Sequence, residues 1–128
     1  MQTDSLQHVF IVDDSAPIRA RLAESLSRIE GMRLVGEASS ARDAIAGILR
    51  TRPHAVLLDL NLLGHTGLEV LREIHPRLPA TIFIVLTNHS ESQYRDACMN
   101  AGAAFFLDKS SEFDRVGDVL AQIAATRH

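Results

Sequence analysis

With 128 residues the chain has the size of one domain and enough length to bury a core. An apolar share of 46% and a charged share of 23% place it among ordinary globular proteins rather than disordered or fibrous ones. The net charge of −3, without any basic run, gives no footprint for direct nucleic-acid contact, and no apolar stretch nears the roughly 18 residues needed to cross a bilayer.

The first residues, MQTDSLQ, carry neither the basic nor the apolar region of a secretory signal. Cys98 is the single cysteine, so no internal disulfide forms, and it reads as a small core residue on a helix. These features predict a cytoplasmic chain with no membrane association.

Two hydrophobic periods then alternate along the chain. HVFIV (8–12) predicts a strand, and Ile18, Leu22, Leu26 and Ile29 share one face of the helix that follows, with Pro17 in its first turn and Gly31 at its end. MRLVGEA (32–38) predicts a second, weaker strand. A helix with Ala44, Ile45, Ile48 and Leu49 inward runs until Pro53. HAVLLD (54–59) predicts the third strand, followed by a loop and a helix carrying Leu68, Leu71 and Ile74. ATIFIVLT (80–87) is the most continuously apolar run, which suits a strand covered on both faces. A helix through Tyr94, Cys98 and Ala101 ends at Gly102, AAFFL (103–107) predicts a fifth strand, and a last helix places Phe113, Val116, Leu120 and Ile123 on one face. Five strands alternating with five helices predict an α/β fold, a parallel sheet with helices on both faces.

Polar residues fall at the carboxyl ends of these strands, the edge where open α/β sheets carry their sites. Asp13 and Asp14 follow the first strand, Asp59 ends the third, Thr87 ends the fourth and Lys109 lies just past the fifth. Taken one at a time, the acidic pair is a helix cap, Asp59 a loop residue, Thr87 a strand terminus and Lys109 a surface charge. Together they describe a chemistry. Clustered carboxylates raise one another's pKa and call for a hard divalent cation. A cation, an ammonium and a hydroxyl are also what a phosphoryl group requires, and a carboxylate can itself accept that group. The six histidines show no metal-ligand spacing, and GHTG (64–67) reads as turn chemistry. Phe105 and Phe106 read as core residues rather than a base-stacking platform.

In IVDDS, LLDLN, VLTNH and FFLDKSSEF, taken in this order, the chain resembles the receiver domain of two-component response regulators over essentially all of residues 1–128, as a single domain. The resemblance implies a flavodoxin-like, doubly wound five-stranded parallel sheet of order 2-1-3-4-5. It implies that Asp59 accepts a phosphoryl group from a sensor histidine kinase, a histidine phosphotransfer protein or a small phosphodonor. Asp14, Asp59 and the backbone carbonyl of Asn61 would ligate Mg²⁺, with Asp13 acting through water. Lys109 would pair with Asp59 at rest and with the phosphoryl oxygens afterwards. Thr87 would move to the phosphoryl group, and Phe106 would swing inward behind it. The output would be a shift in the face formed by the fourth helix, fifth strand and fifth helix. That face would be read by a downstream protein or a fused output domain, and a phosphorylation-dependent dimer stays open. On this reading the chain is not an enzyme beyond its own phosphorylation and dephosphorylation.

Several positions depart from the family pattern. Leu62 and Leu63 stand where Met-Pro is usual, Asn88 where a small residue follows the threonine, and Ser110 where a proline with a cis bond commonly follows the lysine. A cis bond without proline costs roughly 3 kcal/mol, so a trans bond is expected at Lys109–Ser110. Phe106 lacks a tyrosine's hydroxyl and can switch only by packing. Asn61 and His89, at positions that tune hydrolysis in the family, predict slow to moderate self-dephosphorylation. The rival is a Mg²⁺-dependent phosphohydrolase with an aspartyl-phosphate intermediate. It is disfavoured by Asn61, which stands where such enzymes place a second carboxyl group.

Overall fold

The computed structural model describes residues 6–62, 65–88 and 92–126. Its elements are β1 (Gln7–Val12), α1 (Ala16–Ser27), β2 (Met32–Ala38), α2 (Ala41–Thr51), β3 (Ala55–Leu58), β4 (Asn61–Leu62), β5 (His65–Thr66), α3 (Gly67–Ile74), β6 (Ile82–Thr87), α4 (Ser92–Asn100), β7 (Phe105–Asp108) and α5 (Arg115–Thr126). Five strands form one sheet in the order β2-β1-β3-β6-β7, every neighbouring pair parallel. This is the expected 2-1-3-4-5 arrangement.

Alternation along each strand divides the core into two layers. Phe10, Val12, Val56, Leu58, Phe83, Val85 and Phe106 point to the side packed by α2, α3 and α4. Val9, Ile11, Ala55, Leu57, Ile84, Leu86 and Leu107 point to the side packed by α1 and α5. Because both faces are covered, the central strands read as unbroken apolar runs.

Local chemistry sets the helix starts. The Ser15 hydroxyl accepts the Ile18 N–H at 3.3 Å, with Pro17 in the first turn of α1 as expected. Ser40 does the same for α2 through the Asp43 N–H at 3.2 Å. Ile29 lies two residues past the end of α1 but still packs on the core.

α4 buries Cys98 and leaves Tyr94 42% exposed. Two local expectations are corrected. Phe113 precedes α5 instead of lying on it, and its ring carries the Arg21 guanidinium at 4.1 Å. The segment after Asp59 is a small antiparallel hairpin, pairing Asn61 with Thr66 and Leu62 with His65. Leu63, Gly64 and His89, which carried expectations about the loops, lie outside the described residues.

Candidate functional site

The sheet ladder continues one residue beyond three strands and so fixes the site backbone. The Asp13 N–H donates to the Ala38 carbonyl at 3.0 Å, Asp59 to Val12 at 2.9 Å and Lys109 to Thr87 at 2.8 Å. Each functional side chain thus leaves from a backbone held by a neighbouring strand. Asp13, Asp59 and Thr87 are buried, and Asp14 is exposed at the rim.

One oxygen from each of Asp13, Asp14 and Asp59 lies within 4.8 Å of the other two. The Lys109 ammonium donates to Asp13 Oδ2 at 2.7 Å and to Asp59 Oδ2 at 3.1 Å. Pairing of Lys109 with Asp59 was expected from the sequence; its sharing with Asp13 was not. The second oxygen of each carboxylate is also engaged. Asp13 Oδ1 accepts the Ser15 N–H at 2.9 Å, and Asp59 Oδ1 accepts the Asn61 N–H at 3.2 Å.

Burial pushes the Asp59 carboxyl above the usual aspartate range. The Lys109 ammonium and the Asn61 N–H pull it down, the Asp13 charge adds to the rise, and the net effect is upward. Burial alone would lower Lys109, but the Asp13 hydrogen bond and the two carboxylate charges outweigh it and hold the ammonium above its ordinary value. One ammonium faces three carboxylates, so a negative excess remains at this edge of the sheet. Hard oxygen donors with surplus charge, one of them at the solvent rim, suit a small divalent cation that keeps part of its water shell.

Two further residues border the site. The Arg19 guanidinium donates to the Asp13 carbonyl at 2.6 Å and pairs with Glu37 at 3.1 Å, bracing the turn that carries Asp13 and Asp14. A basic residue on the polar side of an amphipathic helix carries no signal for that role. Gly67 is the other: a Cβ built on it would lie 2.1 Å from the Asp59 carbonyl oxygen. Behind the site, Phe106 is buried in the α2–α4 layer with the Arg95 guanidinium 4.9 Å from its ring centre. The described peptide bonds are all trans, Lys109–Ser110 among them.

A family model for the response regulator receiver domain matches residues 9–121. The response regulator UvrY of Escherichia coli (strain K12) is 36% identical over 104 residues, covering 81% of this chain and 48% of that protein. The response regulator GacA of Pseudomonas aeruginosa is 29% identical over 117 residues, covering 91% of this chain and 55% of that protein. The chain therefore spans about half the length of these curated relatives. Among solved structures, a two-component response regulator of the LuxR family from Aurantimonas sp. SI85-9A1 superposes with a TM-score of 0.87 at 29% identity, covering 97% of this chain and 89% of that one. The order of strands, the acidic cluster with its lysine and the match over residues 9–121 agree, and the chain belongs to the response regulator receiver domain family.

Proposed function

We propose that the chain is a phosphorylation switch in which Asp59 accepts the phosphoryl group. The observation that carries this reading is the pairing of Asp59, buried at a strand end, with an ammonium that it shares with Asp13. In the transfer an Asp59 carboxylate oxygen attacks phosphorus, forming a P–O bond. The P–N bond to a donor imidazole breaks, its electron pair stays on nitrogen, and a proton from water completes the neutral imidazole. Lys109 is already within hydrogen-bond distance of the acceptor oxygen and can pass to the phosphoryl oxygens that replace it. Asp14, Asp59 and the Asn61 carbonyl would hold Mg²⁺ directly and Asp13 through water, and the bound cation would neutralise phosphoryl oxygens.

Thr87 closes β6 beside Asp59's strand, and Phe106 lies on the neighbouring strand β7. In the structure Phe106 already occupies the buried position, so the proposed switch works between this conformer and an outward one. Adding about two negative charges at Asp59 would bias that equilibrium and with it the face formed by α4, β7 and α5. The donor is a sensor histidine kinase or a histidine phosphotransfer protein, and the reader is a downstream protein or an output domain in the same polypeptide. Among the described residues no helix is long and apolar enough to cross a membrane. The phosphohydrolase reading gains no support, since position 61 offers an amide where a general acid would stand.

The test is intact-mass and peptide mass spectrometry after incubation with acetyl phosphate and Mg²⁺. One phosphoryl group on the wild type, absent from Asp59→Asn and absent with EDTA, is expected. An equal adduct on Asp59→Asn would overturn the assignment.

A further inference from the structure

Lys109 must deliver its ammonium to two carboxylates at once, yet it stands outside regular structure, in the turn between β7 and α5. A four-carbon side chain is aimed only as well as the backbone beneath it. On one side that backbone is fixed by the Lys109 N–H to the Thr87 carbonyl. On the other it is fixed by two acidic residues that the acceptor chemistry does not use. Asp108 Oδ1 accepts the Ser110 N–H at 2.9 Å, the Ser110 hydroxyl at 2.6 Å and the Ser111 N–H at 3.1 Å. Glu112 reaches back so that its Oε1 accepts the Asp108 N–H at 2.8 Å, while its own N–H donates to the Asp108 carbonyl at 2.7 Å. Its other oxygen pairs with Arg115 at 2.6 Å, tying the turn to the first residue of α5.

This exchange has the reciprocal logic of a capping box, but it closes around the lysine instead of a helix start. We propose that Asp108 and Glu112 are positioning residues that aim the Lys109 ammonium at the acceptor. The inference rests on the reading of Asp59 as phospho-acceptor. Two observations separate it from a merely structural role. Ser110, Ser111 and Arg115 are exposed, and hydrogen bonds and ion pairs at such sites add little to global stability. Every bond of the clasp also falls within three residues of Lys109, apart from the final one to Arg115. The Glu112 carboxyl is held below the usual glutamate range, chiefly by the Asp108 N–H, with Arg115 and Arg95 adding to it against the opposing effect of burial, so it acts as an ionised acceptor at neutral pH.

The test is the initial rate of Asp59 labelling by acetyl phosphate and Mg²⁺, read by mass spectrometry on the full chain. Asp108→Ala and Glu112→Ala are expected to slow labelling by about tenfold through misplacement of the ammonium. Asp108→Asn and Glu112→Gln, which keep the accepting oxygen, should stay within about threefold of wild type. The decisive comparison is made in a Lys109→Ala background, where labelling is already slow and Asp108→Ala should slow it no further. An Asp108→Ala rate equal to wild type, or a full additional loss in the Lys109→Ala background, would overturn the proposal. Should Asp108→Ala fail to fold, Glu112→Ala carries the same comparison. A wild-type chain that takes no label, or an Asp59→Asn chain that takes an equal one, overturns the acceptor reading and the inference with it.

Discussion

Replacing Gly67 by alanine probes how tightly Asp59 is held. A methyl group at that position would meet the Asp59 carbonyl oxygen at 2.1 Å, the Asp59 carbonyl carbon at 2.9 Å and the Leu60 Cα at 3.0 Å. Ordinary contact begins near 3.4 Å, so the two segments must part by more than 1 Å. All three opposing atoms are backbone and cannot rotate aside. The Gly67 N–H is moreover bound to the Leu60 carbonyl at 2.8 Å, so the segments cannot separate without losing that bond. Overpacking of this kind costs about 1–3 kcal/mol. In a domain of this size each kcal/mol lowers the melting midpoint by roughly 3–6 °C. Because the displaced backbone carries Asp59 itself, phosphoryl labelling should fall by on the order of 100-fold, the usual effect of an ångström's misplacement. Thermal denaturation followed by circular dichroism, together with labelling rates by mass spectrometry, measures both. Gly117→Ala is the control, since nothing lies within 4 Å of its added methyl and it sits inside α5. That substitution should stabilise by roughly 0.5–1 kcal/mol through helix propensity. A Gly67→Ala protein that melts and labels like the wild type would refute the reasoning.

Asp59→Asn should stabilise the metal-free protein at neutral pH, because burial holds the folded-state carboxyl above the pKa of 3.8 that it has in the unfolded chain. Its contribution therefore favours folding below that value and is lost as pH rises through the folded-state pKa. Urea denaturation in EDTA should show the variant ahead at pH 7 and the gap closing towards pH 4; a wild type more stable at pH 7 would count against it. Lys109→Met leaves Asp13 and Asp59 buried without their shared cation and should cost about 3 kcal/mol at pH 7. Added Mg²⁺ should restore part of that loss in denaturant titrations, and no response to Mg²⁺ would argue against a cation site. Phe106→Ala empties a buried ring from the α2–α4 layer and should cost about 3–4 kcal/mol, measured by the same titrations, while leaving the acceptor chemistry able to proceed.

The alternation of strand and helix was legible because each element carries its own period, and the four polar stations were legible because they interrupt apolar runs at the same end. Their convergence through Lys109 needed the strand order, which came from resemblance. What escaped was chemistry without a periodic trace. Two-residue strands such as β4 and β5 are too short to alternate. Tyr94 and Cys98 share a helical spacing, but spacing cannot show that α4 buries only the second of them. Gly67 stands at a glycine position of the family pattern, but the reason for it, the close approach of the Asp59 backbone, shows only in the structure. The clasp of Asp108 and Glu112 looked like two more charges in a polar turn. Arg19 was likewise one basic residue among several on α1.

The bond between Lys109 and Asp13 joins positions separated by 96 residues, and the one between Lys109 and Asp59 joins positions 50 apart. Such a site cannot be built by any partial chain. During synthesis Asp59 leaves the ribosome well before Lys109, so the two buried carboxylates gain their shared cation only once the last sheet strand has docked.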